Sequence, residues 1–300
     1  MPRSSPSITV RLIDGTADRD GTELALNRAY TFARTKSKIY TLEGCTLELT
    51  GTCENYVAEF PSPEDSALVS YINLHFALQD ARIAATKAGR NAQGPRVMIC
   101  GAPNSGKTTL ARTLVGLATR MGSQPLVANL DPDEGLLSLP GTMSAAVYGT
   151  LMDVEDPAGG FGVRNTPSTG PGAIPVKLPI VYYFGREKVE DDIPHWKDLT
   201  RKLASSVRAK VKKDQDVKSS GVIIDAPAVK PGGEGVELLA HAVSEFAGKC
   251  PPQGYANGGL NGSSQRHYCP WFCPDEHRFA AATSRRENIS GGAHHCCHAR

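Results

Sequence analysis

Val97-Met98-Ile99-Cys100 runs straight into Gly101-Ala102-Pro103-Asn104-Ser105-Gly106-Lys107-Thr108-Thr109, and this junction decides the fold. A short apolar run bounded by glycine reads as a buried strand. The residues after it match G-x-x-x-x-G-K-[ST], the P-loop pattern. Each part has a physical task. The loop turns backbone N–H groups inward, making an anion nest at a helix N-terminus. Gly101 and Gly106 belong to the pattern, and Gly106 allows close backbone approach. Lys107 is expected to reach the β and γ phosphates, and the Thr108 hydroxyl to ligate Mg²⁺. The plain alternative is a glycine-rich turn with a solvated lysine.

The pattern continues on the C-terminal side. Leu110, Leu114, Val115 and Leu117 predict a helix over 107–121. Leu126-Val127-Ala128-Asn129-Leu130 predicts a second buried strand. Strand, helix, strand predicts a right-handed crossover in a parallel sheet, with 126–130 as neighbour of the P-loop strand. Gly221-Val222-Ile223-Ile224-Asp225 predicts a third strand of the same type.

P-loop proteins also place an acid at a nearby strand end, for Mg²⁺ or for the attacking group. Two candidates follow strands here: Asp131, in Asp131-Pro132-Asp133-Glu134-Gly135, and Asp225, in Asp225-Ala226-Pro227. Either also fits an N-cap or turn acid.

Further out, 8–13, 29–32, 38–41 and 45–49 read as short strands of a small β-sandwich or barrel. Leu68, Tyr71, Ile72, His75, Phe76, Gln79 and Ile83 predict one amphipathic helix over 65–87. Residues 156–176 read as a loop and 179–184 as a strand. Helices are expected over 193–211 and 236–246. The fold expected is α/β, a P-loop parallel sheet with helices on both faces preceded by a small β domain. The units are 1–62, a helical linker 63–94, a P-loop ATPase-like unit 95–247 and an irregular tail 248–300.

The tail breaks the pattern. Only Leu260 and Ile289 represent Leu, Ile, Val and Met after residue 250, so no core strand is expected there. Five of eight cysteines and five of eight histidines fall in 248–300. One reading is a metal site, since Cys269, Cys273 and His277 recur every fourth residue and His294, His295, Cys296, Cys297 and His298 follow. That spacing is off the common zinc-finger pattern, and Pro270 and Pro274 oppose an aligning helix. The reading favoured is non-native sequence from a shifted frame or an unspliced intron.

Composition narrows the function. The chain has 300 residues, 33 Lys+Arg against 31 Asp+Glu, a net charge of +2 and 40% hydrophobic residues. That excludes wholesale disorder and argues against a strongly basic nucleic-acid clamp. No apolar run approaches membrane-spanning length. Residues 1–7 lack a signal-peptide core, so an intracellular chain is expected. No N-K-x-D motif for guanine is present.

Several stretches together resemble a known family. They are Asp14-Gly15-Thr16-Ala17, Gly21-Thr22-Glu23-Leu24, Lys38-Ile39-Tyr40-Thr41-Leu42-Glu43-Gly44-Cys45 and Asn73-Leu74-His75-Phe76-Ala77-Leu78. The P-loop, Asn129-Leu130-Asp131-Pro132, Ser138-Leu139-Pro140-Gly141-Thr142, 174–179 and 221–225 continue the match. Over about residues 8–247 the chain resembles the ATP-binding, polynucleotide 5′-hydroxyl kinase-like subunit of the pre-mRNA cleavage and polyadenylation machinery, in its fungal form, with the C-terminal part truncated or frame-shifted.

The resemblance implies ATP and Mg²⁺ as ligands, with ATP between the β domain and the P-loop unit. It implies that Asn104 to Thr109 contact the phosphates and Mg²⁺, and that Lys36 approaches the nucleotide from the β domain. It implies a nuclear location and a partner in the scaffold subunit of cleavage factor IA. RNA is reached only through the complex, and no membrane is involved. Family kinases carry an acid followed by x-Gly-Gln-Gly after the second strand, where this chain has Glu134 in place of the glutamine. Family members also begin with a segment bearing an adenine-facing glutamate and continue past 247 with a strand, an arginine-bearing lid and a third domain. Fungal members resemble ATP-binding scaffolds, so ATP held as a structural ligand is expected. The alternative is an active kinase transferring the γ-phosphate to an RNA 5′-hydroxyl, with Lys107 on the phosphates and Asp131 as base.

Overall fold

The computed structural model describes residues 7–33, 37–52, 57, 67–89, 91–134, 138–155, 179–229 and 233–247, and the backbone alone of Cys269–Phe272 and Arg278–Ala282. Strand residues at its centre alternate between two cores. In β6 (Arg96–Ile99), β7 (Leu126–Asn129) and β10 (Val222–Asp225), the side chains of Met98, Leu126, Ala128, Val222 and Ile224 join one cluster. Val97, Ile99, Val127 and Ile223 join the other. A strand buried on both faces must be apolar at every position, which is why these runs lack polar alternation.

Helices cover both faces. α1 (Ala67–Ala88) and α2 (Lys107–Arg120) close one side through Leu78, Leu110, Leu114 and Val115. The other side is closed by α3 (Ile193–Lys213), α4 (Gln215–Ser220) and α5 (Gly233–Ala247), through Trp196, Leu203, Val207, Val217, Leu238 and Phe246. α1 packs beside α2, and its Arg82 Nε donates to the Ser220 carbonyl, at the end of α4, at 2.9 Å.

The sheet has seven strands in the order β11-β12-β6-β10-β7-β8-β9, with β8 Thr142–Val147, β9 Ile180–Tyr183, β11 Cys269–Phe272 and β12 Arg278–Ala282. β12, β6, β10 and β7 are parallel; β8 and β11 run antiparallel to them on either side, and β9, paired antiparallel with β8, returns to the direction of the central four. The α/β fold with helices on both faces is as expected, but three details differ. First, β7 is not a neighbour of the P-loop strand, because β10 lies between β6 and β7. Second, β8 and α4 have no counterpart in the sequence reading, because 142–147 is rich in small and polar residues. Third, the tail does supply a strand: β12 pairs in parallel with β6 from Phe279↔Arg96 to Ala282↔Ile99. Pairing is a property of backbone N–H and C=O groups, and a census of Leu, Ile, Val and Met overlooks an alanine-rich run. Cys273, His277 and 294–298, the rest of the tail's metal reading, lie outside the described residues, as do 156–178.

The N-terminal unit is a three-stranded antiparallel sheet, order β4-β1-β5, from β1 (Ser7–Gly15), β4 (Ala29–Ala33) and β5 (Cys45–Gly51). A hairpin of β2 (Asp18–Arg19) and β3 (Thr22–Glu23) joins it. Val10, Leu12, Tyr30 and Phe32 form its core together with Val154 from the P-loop side of the chain. The strand expected over 38–41 is reduced to one bridge, Asp18↔Tyr40. Exposed flanks leave it without the alternation a full strand needs.

Candidate nucleotide site

β6 delivers the chain to the P-loop, and the loop's geometry follows from two left-handed residues. Asn104 has φ 56° and Gly106 φ 87°. Alternating handedness turns successive N–H groups to one side, the geometry of an anion nest. Asn tolerates this region better than most residues, and Gly bears it at no steric cost. At Gly101 a β-carbon would lie 2.6 Å from Ser105 Oγ, so a side chain there would displace that hydroxyl. Ser105 Oγ is buried without a hydrogen-bond partner. The start of α2 has no side-chain cap and no acid in its first turn. Its first N–H groups and its dipole are thus left for an anion.

Four side chains converge at this helix start. Lys107 opens α2 and is buried. Thr108 Oγ1 donates to Asp225 Oδ2 at 2.9 Å and also meets Glu134 Oε2. Asp225 ends β10, and its register partners are Ile99 of β6 and Asn129 of β7. The central position of β10 therefore carries this acid to the P-loop. Asp225 is 1% exposed, and burial first, then the nearby Glu134 charge, pushes its carboxyl up to about 7. Lys107 and the Thr108 hydrogen bond oppose that rise.

Asp131 is held differently. Its Oδ1 accepts from the Asp133 N–H and its Oδ2 from the Ala228 N–H, both at 3.2 Å. Asn129 Oδ1 accepts from the Asp131 N–H at 3.0 Å, and Asn129 Nδ2 donates to the Asp131 carbonyl at 2.9 Å. Asp131 thus ties the end of β7 to the segment after β10. Burial raises it to about 6, against the pull of Lys107. Cys100, entering the loop, is pushed up to about 12, first by burial and then by Asp225, so it is a neutral thiol.

Among the predicted site residues, Gly101, Asn104, Ser105, Gly106, Lys107 and Thr108 form one loop, with Asp131 and Asp225 beside it. Thr109 lies in the same turn of α2, its carbonyl accepting from Thr113 Oγ1 at 2.9 Å. Lys36 lies outside the described residues. Asn129 and Glu134 join the site without having been singled out by the sequence motif. Glu134 was visible as one of three acids in four positions, but nothing in the spacing joined it to Thr108. Among the described residues no group of three or more His, Cys, Asp and Glu is disposed to hold a metal by itself. Mg²⁺ needs no such cage, since it commonly takes one or two carboxylates plus phosphates and water.

The β2–β3 turn sits on α2 a few turns beyond the loop. A β-carbon at Gly21 would be 2.6 Å from the Thr113 carbonyl oxygen. Arg120 pairs with Glu23 at 2.6 Å, and the buried Arg19 donates to the Val154 carbonyl. One helix therefore carries both the phosphate loop and the seat of the N-terminal unit.

Residues 2–85 match the family described as the N-terminal beta-sandwich domain of polyadenylation factor. Residues 101–249 match the P-loop of mRNA cleavage and polyadenylation factor CLP1. The chain belongs to the Clp1 family. A Clp1 factor of Chaetomium globosum is 57% identical over 251 residues, covering 80% of this chain and 50% of that protein. The chain spans about half the length of the curated Clp1 relatives it matches. A solved Clp1p–Pcf11p complex aligns with a TM-score of 0.68 at 27% identity, covering 82% of this chain and 55% of that one. A second solved structure, at 26% identity, the same TM-score and the same coverages, concerns the extended Pcf11p–Clp1p interface and ATP loss in a point mutant. Family membership and local geometry agree on the P-loop fold of this family. No described helix is long and apolar enough to cross a membrane.

Proposed function

We propose that this chain is the ATP-holding portion of a nuclear subunit of the pre-mRNA 3′-end cleavage and polyadenylation machinery, with ATP serving mainly as a structural ligand. The observation that carries this reading is the sharing of α2. The helix whose N-terminus shapes the P-loop also seats the Asp20–Gly21 turn, so a ligand at one end stabilises the arrangement at the other. A ligand bound only by the folded form adds stability by mass action. Asn104 to Thr109 would hold the phosphates, and Thr108 with Asp225, and Asp131 close by, would hold Mg²⁺. That ion would neutralise phosphate charge. Lys36 would approach from the N-terminal unit. The units proposed are 1–62, 63–94, 95–247 and 248–300. The partner proposed is the Pcf11-type scaffold subunit of cleavage factor IA, seen with Clp1p in the solved complex, and RNA is met through it.

One observation favours a second reading, a polynucleotide 5′-hydroxyl kinase. A buried carboxyl raised to about 6 suits a general base near neutral pH. Against it, both Asp131 oxygens already accept backbone N–H groups.

The test is the nucleotide content of chain purified without added ATP, released by denaturation and separated by chromatography. Near-stoichiometric intact ATP, lost in Lys107→Ala, supports the structural-ligand reading. ADP, with labelled phosphate transferred to a 5′-hydroxyl oligonucleotide and abolished in Asp131→Asn, would replace it with the kinase. An empty site in the wild-type chain, unfilled even by millimolar Mg·ATP, would refute both.

A further inference from the structure

A threonine hydroxyl has one hydrogen to donate. At Thr108 two carboxylates compete for it, Asp225 Oδ2 at 2.9 Å and Glu134 Oε2. Three oxygens from three separate elements meet at the first turn of α2. The remaining oxygen of Asp225, Oδ1, is buried and has no hydrogen-bond partner, in a side chain that is 1% exposed. Asp131 stands near as a third carboxyl, and Lys107 is the buried cation among them. A polyphosphate would bring more negative charge to the same helix start. Like charges a few ångströms apart repel by several times thermal energy at a protein surface unless something positive lies between them.

The three acids are not equally committed to the fold. Asp131 is tied by both oxygens to backbone N–H groups. Asp225 ends the central strand. Glu134 is exposed and reaches the site through the Thr108 hydroxyl.

We propose that Glu134 makes nucleotide retention by this chain conditional on a divalent cation. The proposal rests on the ATP-holding reading and deepens it. Without a cation, the Glu134 carboxylate occupies the Thr108 hydroxyl and repels the phosphates. Thr108, Asp225 and Glu134 are oxygen donors of the kind a hard divalent cation takes. Glu134 thus excludes metal-free nucleotide while leaving the metal complex acceptable.

The experiment is equilibrium binding of ATP to the full 300-residue chain, in excess Mg²⁺ and in excess EDTA. It compares wild type, Glu134→Gln and Asp133→Asn. The last makes the same charge change one residue away, on an exposed side chain. Wild type is expected to bind at least about 100-fold more tightly with Mg²⁺, and Glu134→Gln to bind metal-free ATP at least about tenfold better than wild type. Asp133→Asn should leave the Mg²⁺ ratio unchanged. A Glu134→Gln ratio equal to wild type overturns the proposal and leaves ATP holding intact. An equal relaxation in Asp133→Asn overturns it in favour of a general charge effect. Wild type that binds no ATP even with Mg²⁺ overturns the ATP reading and this proposal with it. Glu134→Ala repeats the test with a truncated side chain, and thermal melts establish that each variant is folded.

Discussion

The carbonyl oxygen of Asp20 lies so close to Gly116 that a β-carbon on that glycine would sit 2.4 Å from it. Gly21 meets the Thr113 carbonyl oxygen in the same way, so backbone rests on backbone with no side chain between. Gly116 is nine residues along α2 from Lys107, or about 14 Å at the rise of an α-helix. Two parts of the chain are thereby set in fixed relation along one rigid rod.

Gly116→Val should therefore act at a distance. Overpacking at such a contact costs about 1–3 kcal/mol. The expected outcome is a lower melting temperature together with a lower ATP content after purification, although residue 116 is remote from the loop. Gly149→Ala is the comparison, because a β-carbon there meets only the Gln124 side chain, at 3.3 Å and beyond. A Gly116→Val chain that melts and retains ATP like wild type would show that the turn is not seated on α2 in solution.

The buried titrating groups predict opposed pH dependences in the absence of nucleotide and metal. Asp225 is raised from 3.8 to about 7, so in this interval the folded chain keeps a proton that the unfolded chain has released. Its contribution is fully present below about pH 4 and is lost as pH rises through about 7. His75 is lowered to about 4, by burial first and then by Arg82. It stays neutral while the unfolded chain takes up a proton, so its contribution is present above about pH 6.5 and lost as pH falls through about 4. Urea midpoints between pH 4 and 8 should show Asp225→Asn flattening the loss toward neutrality and His75→Gln flattening the loss toward acid. Each slope should change by at most about 1.4 kcal/mol per pH unit. Unchanged slopes in both variants would contradict this account.

Trp196 supports the site from the opposite face of the sheet. Its Nε1–H donates to the Leu130 carbonyl at 3.0 Å, and the Leu130 N–H donates to the Asp225 carbonyl at 2.9 Å. Leu130 also precedes Asp131. Trp196→Phe leaves a buried carbonyl without this donor and opens a small void, at a cost of about 1–3 kcal/mol. The melt should fall accordingly, and Mg·ATP affinity should weaken with it. Full affinity at reduced stability would separate the packing role from the placement of the acids.

Much of the fold was legible in local pattern. The run 97–100, the glycine-bounded loop and the apolar spacing after Lys107 located β6, the P-loop and α2 within a residue or two of where they lie. The helices over 65–87 and 193–211 were likewise visible from apolar spacing near 3.6 residues, although Phe76 and Ile83, expected on the inner face of the first, are exposed; the strand over 179–184 forms at Ile180–Tyr183 without a buried face. Strand order was not legible. Asp131 and Asp225 both read as candidates from sequence, with Asp131 the one given the catalytic role, and the insertion of β10 between β6 and β7 is what gives Asp225 the Thr108 hydroxyl. β12 escaped notice because side-chain composition carries little record of where a backbone finds a partner.

The sequence by itself determined the phosphate loop, the two strand-end acids and the membership of a cleavage-factor family, since each is written in contiguous residues whose chemistry is local. Only the tertiary structure decided that Glu134 and Asp225 share one hydroxyl, and that Asp20 rests on Gly116. Those relations join residues 26 to 117 positions apart. The second of them depends on a missing side chain, and an absent atom leaves no periodic signal in a sequence.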